Sequence, residues 1–242
     1  MAMINKAKKP EKIVNPVIAG VYEQFGTRFV EEGHTIIGFR YDQVKERKLR
    51  KPNGKEFTNN VTLSQPSSEV LTVMKNESGN WCMVFAMQSR SPYVVNVNGT
   101  LYSKIFIEQA AGLVEKNQNF TSAAIAEVGQ ELGAKLIYLS ELIVPKVYRH
   151  VSYTDEVSKI YLAVAEHIGS QHLDPNENIS VDIIPLEEVK KAFKSYLNGN
   201  ETDFFGFDIS DSTMLSMTLF FWKLDSGELD LDNLNPNNNL MK

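Results

Sequence analysis

The stretch A-E-V-G-Q-E-L-G-A, from Ala126 to Ala134, decides how this 242-residue chain reads. It sets Glu127 and Glu131 four residues apart, so on a helix the two carboxylates stack with a rise of about 6 Å. Like charges at that spacing repel by a few tenths of a kcal/mol unless a cation lies between them. Ile125, Val128 and Leu132 recur at helical spacing and predict the core-facing stripe. At about 100° per residue, both glutamates are expected to point well away from that stripe. Gly133 follows as a helix stop. Taken alone, the segment reads as a solvated acidic face sooner than a cation-binding one.

The residues upstream narrow the choice. They read E-Q-A-A-G-L-V-E-K-N-Q, from Glu108 to Gln118. Together the two stretches resemble the box of the Nudix hydrolases, G-x5-E-x7-R-E-U-x-E-E-x-G-U with U apolar. Gly112 takes the first glycine, Glu127 and Val128 the E-U core, Glu131 the last glutamate and Gly133 the final glycine. Three positions depart: Gln118 stands at the first glutamate, Ala126 at the arginine and Gln130 at the first of the paired glutamates. The resemblance implies that the missing glutamate and arginine pair in the family. Removing one partner of a buried ion pair costs about 3–5 kcal/mol, whereas replacing both can be neutral, so the scaffold is expected to survive. Gln130 lies where the resemblance implies a metal ligand, and its carbonyl is a weaker donor for a hard cation. The retained pair, Glu127 and Glu131, would by the same resemblance hold Mg2+ or Mn2+.

A second stretch points to one branch. M-V-F-A-M-Q-S-R, from Met83 to Arg90, is an apolar strand with a polar end, followed by Y-S-K-I-F-I-E-Q-A-A-G. This is similar to the ADP-ribose pyrophosphatase-like Nudix enzymes. It implies that Arg90 and Glu108 line the substrate pocket and that the Ala111 carbonyl ligates a metal. From the residues alone, Arg90 equally suits a surface strand end. The family places a general base in a loop, and R-H-V-S-Y-T-D-E-V offers Glu156 first and Asp155 second. A positioned base contributes roughly 10²–10⁴ in rate.

Composition excludes several classes. A hydrophobic fraction of 43% and a charged fraction of 23% are ordinary for a globular chain. The formal net charge of −5 argues against a general nucleic-acid surface. No apolar run spans a bilayer, and the basic N-terminus lacks the apolar stretch of a secretory signal. Cys82 is the single cysteine, so no internal disulfide forms, and its apolar strand predicts a core role. The cytoplasm is the expected location. There is no G-x-x-x-x-G-K-[ST] loop and no G-x-S-x-G elbow. His34, His150, His167 and His172 show no zinc spacing. The basic stretch from Lys45 to Lys55 lacks interleaved aromatics and reads as a solvated hairpin flank.

Three regions are expected. Residues 1–68 form a β-rich part with strand-like T-I-I-G-F-R-Y and a reversal at Asn53-Gly54, a candidate dimerisation element. Residues 69–198 form the Nudix domain, with a hairpin turn at Asn76–Asn80 and a closing helix in P-L-E-E-V-K-K-A-F-K-S-Y-L. Residues 199–242 hold a helix capped by Ser210 or Asp211, apolar around much of its girth, and an Asn-rich tail expected to be disordered. The fold class expected is α/β (α+β), a Nudix-type α/β/α sandwich on a mixed sheet.

The resemblance thus implies a hydrolase that cleaves the pyrophosphate of a nucleotide-type substrate, ADP-ribose or a nucleotide sugar, as a homodimer without nucleic-acid or membrane partners. The alternative is a ligand-binding or regulatory protein on the same fold with impaired turnover, which Gln118, Ala126 and Gln130 favour.

Overall fold

In the computed structural model, which describes residues 11–13, 19, 21–23, 43–50, 56–143, 146–148, 156–175, 177–200 and 203–234, runs rich in Val, Ile, Phe and Tyr form strands. The first seven are β1 (Glu11–Ile13), β2 (Gln43–Arg50), β3 (Glu56–Leu63), β4 (Ser67–Lys75), β5 (Trp81–Val97), β6 (Thr100–Glu108) and β7 (Ala110–Leu113). Helix α1 (Phe120–Glu131) follows, then β8 (Ala134–Glu141), β9 (Val147–Tyr148), β10 (Val157–Ile168) and β11 (Ile179–Pro185). Helix α2 (Leu186–Leu197), β12 (Asp208–Ile209) and α3 (Asp211–Ser226) complete the order, with a single 3-10 turn at Leu231–Asn233. The strand expected at Thr35–Tyr41, the Asn53-Gly54 reversal, Asp155 and the tail beyond Leu234 lie outside the described residues.

Ten strands make one mixed sheet whose central path runs β12-β6-β5-β4-β10-β8. β4 and β10 run parallel, from Ser67 opposite Ser158 to Met74 opposite Ala165. β5 is long and bulged between Arg90 and Val94, so one strand serves β4, β6 and β11 with its first part and β6 and β1 with its last. The turn at Asn76–Asn80 forms as expected: Gly79 N–H donates to Asn76 O at 2.8 Å. β2 and β3 pair separately and antiparallel, with Arg50 opposite Glu56.

Because side chains alternate along a strand, a sheet covered on both faces builds two cores. Leu71, Val73, Met83, Phe85, Ile160 and Leu162 face one, which α2 closes with Val189 and Phe193 and α3 with Met217, Phe220 and Phe221. Val70, Val84, Ala86, Tyr161 and Ala163 face the other, closed by Ala124, Val128 and Leu132 of α1. Cys82 is buried, and burial pushes its thiol up, as befits a core residue.

Two expectations need correction. Ile125 is 40% exposed, whereas Ala123, Ala124, Val128 and Leu132 are fully buried. The helix sits against β4 and β7 through its alanines, and a branched side chain there would hold it off. Helix α3 packs against the sheet as expected, through Met217, Phe220 and Phe221, and leaves Trp222 56% exposed on its other side. The polar tail is ordered at least through Leu234, because Asp232 accepts from Lys75 Nζ at 2.7 Å and Trp81 Nε1 at 3.1 Å.

Both ends of α1 are fixed locally. Asn119 Oδ1 accepts from Ser122 N–H at 2.8 Å while Asn119 N–H donates to Ser122 Oγ at 3.0 Å, a reciprocal cap. At the other end Gly133 has φ +64°, and a Cβ there would lie 2.5 Å from Gly169 O. Gly169 N–H donates to Gly133 O at 2.8 Å.

Candidate functional site

α1 and β7 build the site between them. β7 brings Ala111 and Gly112 under the helix, and the missing side chain of Gly112 is what lets the helix carboxylate in. A Cβ on Gly112 would lie 1.9–2.5 Å from the end of the Glu127 side chain. One turn on, Glu131 Oε2 accepts the Ala111 N–H at 3.0 Å. Glu131 is 5% exposed and Glu127 is half-buried, so the carboxylates set away from the Val128–Leu132 stripe pack toward β7 and not into open solvent.

That burial is costly for negative charge. Desolvation pushes Glu127 up to about 7, helped by the charges of Glu177, Asp174 and Glu115. Desolvation pushes Glu131 up to about 8 despite the Ala111 hydrogen bond, with Glu127 and Glu177 adding to the rise. Two carboxylates one turn apart, both held well above the ordinary carboxylate range, mark a place where positive charge is in deficit.

Ala111 and Gly112 also line a cleft of about 370 Å³ shared with Ser67, Arg90, Glu108 and Glu156. Arg90 Nε donates to both Glu108 oxygens, at 3.1 and 3.0 Å, and a second contact runs from its NH2 group. The pair spans the β5–β6 hairpin. Burial pushes Glu108 up, and the Arg90 guanidinium opposes that rise. Glu156 precedes β10 and accepts from Ser67 Oγ at 3.4 Å, while Ser67 Oγ meets Ser158 Oγ at 2.6 Å. The fold therefore brings Arg90, Glu108, Ala111 and Glu156 to one cleft, whereas Glu127 and Glu131 do not line it and reach only the backbone of Gly112 and Ala111 in its wall.

The departures from the box lie differently. Gln130 is exposed, and its backbone carbonyl accepts from His172 N–H at 2.9 Å. Gln118 closes a local turn instead of reaching the helix: its side chain accepts from Glu115 N–H at 3.2 Å. Ala126 is half-buried.

Other groups at the site were not legible as such in the sequence. Glu69 is 3% exposed, lines the cleft and accepts from Gln109 Nε2 at 2.8 Å. Gln109 in turn accepts from Ser216 Oγ at 2.6 Å, and its N–H donates to Thr213 Oγ1 at 3.0 Å. This buried chain of hydrogen bonds locks the start of α3, capped by Ser210, against the cleft. Asp174 and Glu177 come from the loop after β10; the acid-rich D-P-N-E run was their only signal.

Glu127 and Glu131 offer two carboxylates, too few for an all-protein metal cage. Among the described residues no group of three or more His, Cys, Asp or Glu side chains could hold an ion. Mg2+ needs only one or two carboxylates, since waters and substrate phosphates complete its shell.

No family model matches the chain, and no curated protein matches it. Among solved structures, the crystal structure of an ADP compounds hydrolase is similar with a TM-score of 0.54, covering 84% of this chain and 97% of that one at 17% identity. At that identity the likeness is one of fold, and the mixed α/β class with a large mixed sheet expected from the sequence is the one observed.

Proposed function

We propose that the chain is a Nudix-like hydrolase that cleaves the pyrophosphate of a nucleoside diphosphate joined to another moiety, ADP-ribose or a nucleotide sugar. The observation that carries this is the pair Glu127, half-buried, and Glu131, buried, one helical turn apart, which meet Gly112 and Ala111 of the cleft wall and whose carboxylates are lifted to about 7 and about 8. The fold shared with an ADP compounds hydrolase supports it.

Glu127, Glu131 and the Ala111 carbonyl would hold Mg2+ or Mn2+, with Gln130 as a weaker donor. The ion, when bound, neutralises diphosphate oxygens and makes water a better nucleophile. The chain's own residues do the rest. Glu156, positioned by Ser67, takes the proton of the attacking water. The water oxygen bonds to phosphorus as the bridging P–O bond breaks, giving a nucleoside monophosphate and a sugar phosphate. Arg90 orients the substrate, and Glu108 holds the guanidinium plane in place. No described helix is long and apolar enough to cross a membrane. A cytoplasmic homodimer using residues 1–68 is the assembly proposed, and light scattering in solution checks it.

A second reading, a ligand-binding protein with impaired turnover, is favoured by one observation: the exposed, neutral Gln130. Incubation with ADP-ribose and nucleotide sugars in Mg2+ or Mn2+ separates the two. Product above a Glu127→Gln control, and more of it in Gln130→Glu, supports the enzyme. No product, with a ligand-induced rise in melting temperature, supports the binder.

A further inference from the structure

Beside the carboxylate cleft lies a second hollow of about 490 Å³, lined by Arg90, Tyr93, Phe106, Glu108, Ile209 and Asp211. The two share Arg90, Glu108, Ser210 and Asp211, so they are compartments of one continuous depression. Their chemistry differs. The first is polar, whereas the second is floored by aromatic and aliphatic surface. Tyr93 is 56% exposed, yet its ring packs on Phe106 with centroids 5.2 Å apart and planes tilted by 56°. Ile209, in the same lining, is buried at 7% exposure.

An exposed tyrosine alone means little. Here it sits within the β5 bulge between Arg90 and Val94, where the β5–β6 ladder is interrupted. Its ring stands over Phe106 of the neighbouring strand at the wall of a hollow of ligand-binding size. The carboxylates of Glu108 and Asp211 border the same hollow and disfavour an anion in it, while accepting hydrogen bonds from N–H groups. A flat, uncharged ring system with donor groups on its edge matches this lining; a phosphate does not.

We infer that the Tyr93–Phe106 shelf is a nucleobase subsite, on which the base of the substrate stacks while its diphosphate lies toward Glu127 and Glu131. The inference deepens the proposed function and rests on its nucleotide substrate class. It makes Tyr93 a specificity determinant and not a catalytic group. Its exposure means that replacing it leaves the core intact.

The test compares wild type with Tyr93→Ala and Tyr93→Phe. Equilibrium binding of AMP and of ribose 5-phosphate, which lacks the base, is measured by calorimetry, and the KM and kcat for ADP-ribose are measured in Mg2+. Stacking of a base on an aromatic ring corresponds to about a 5- to 150-fold effect. Wild type should therefore prefer AMP to ribose 5-phosphate, Tyr93→Ala should lose that preference, and Tyr93→Phe should keep it. KM should rise in Tyr93→Ala with kcat changed less than about threefold, since the shelf acts alike on ground and transition states. Equal AMP binding by wild type and Tyr93→Ala overturns the shelf, even where hydrolysis is robust. Absence of hydrolysis with AMP binding that depends on Tyr93 overturns the enzymatic reading and leaves the shelf standing.

Discussion

The Glu131 carboxylate accepts the Ala111 N–H at 3.0 Å, which ties α1 to β7 and fixes one of the two helix carboxylates behind the cleft wall. Glu131→Gln keeps an acceptor for that N–H but removes the charge. Hydrolysis should fall by about 10²–10³-fold with the fold intact. Glu131→Ala should lose activity and also about 1–3 kcal/mol of stability, because the buried N–H is left without its partner. Steady-state rates and urea unfolding of both variants check the contrast.

Glu127 and Glu131 make the metal-free protein sensitive to pH. Their folded pKa values, about 7 and about 8, lie above the ordinary 4.5. Raised values mean that the folded state holds protons the unfolded chain would release. The stabilising contribution is therefore full below about pH 4.5 and is lost as pH rises through 7 to 8. Melting temperature in EDTA should fall between pH 5 and pH 8.5, and the double variant Glu127→Gln/Glu131→Gln should flatten that fall. Mn2+ should bind more tightly with rising pH over the same window, since it displaces protons.

Gly112→Ala tests the close approach directly. Its new Cβ would lie 1.9–2.5 Å from the Glu127 side-chain end, which is flexible and can swing aside. Stability should change by no more than about 1 kcal/mol, while Mn2+ affinity drops with the displaced carboxylate. Calorimetric titration beside a thermal melt distinguishes this from misfolding.

Two buried hydroxyls should respond oppositely. Ser216→Ala leaves the Gln109 carbonyl oxygen without the 2.6 Å hydrogen bond it accepts, and should cost about 1–3 kcal/mol. Thr72 Oγ1 is buried with no hydrogen-bond partner among the described residues, so Thr72→Val should be neutral or stabilising. Melting temperatures of the two variants should move about 2–4 °C per kcal/mol.

What the sequence disclosed follows from the range of the forces involved. The Asn76–Asn80 turn, the Ser210 cap, the Gly133 stop and the burial of Cys82 are set by neighbours in the chain, and each appears where expected. The buried face of α1 was misassigned because hydrophobicity favours Ile125 over alanine, whereas close packing on β4 and β7 favours Ala123 and Ala124. Glu69, Gln109 and Ser216 are spread over about 150 positions, so nothing local announced their network. Asp232 sits in a polar run that looked unstructured, and only its contacts with Lys75 and Trp81 reveal that it docks.

The bare backbones of Gly133 and Gly169 touch where α1 ends, with no side chain to cushion them. A Cβ at Gly133 would lie 2.5 Å from Gly169 O, in a backbone conformation at φ +64° that side chains rarely adopt, so any substitution there would part the end of α1 from the loop after β10.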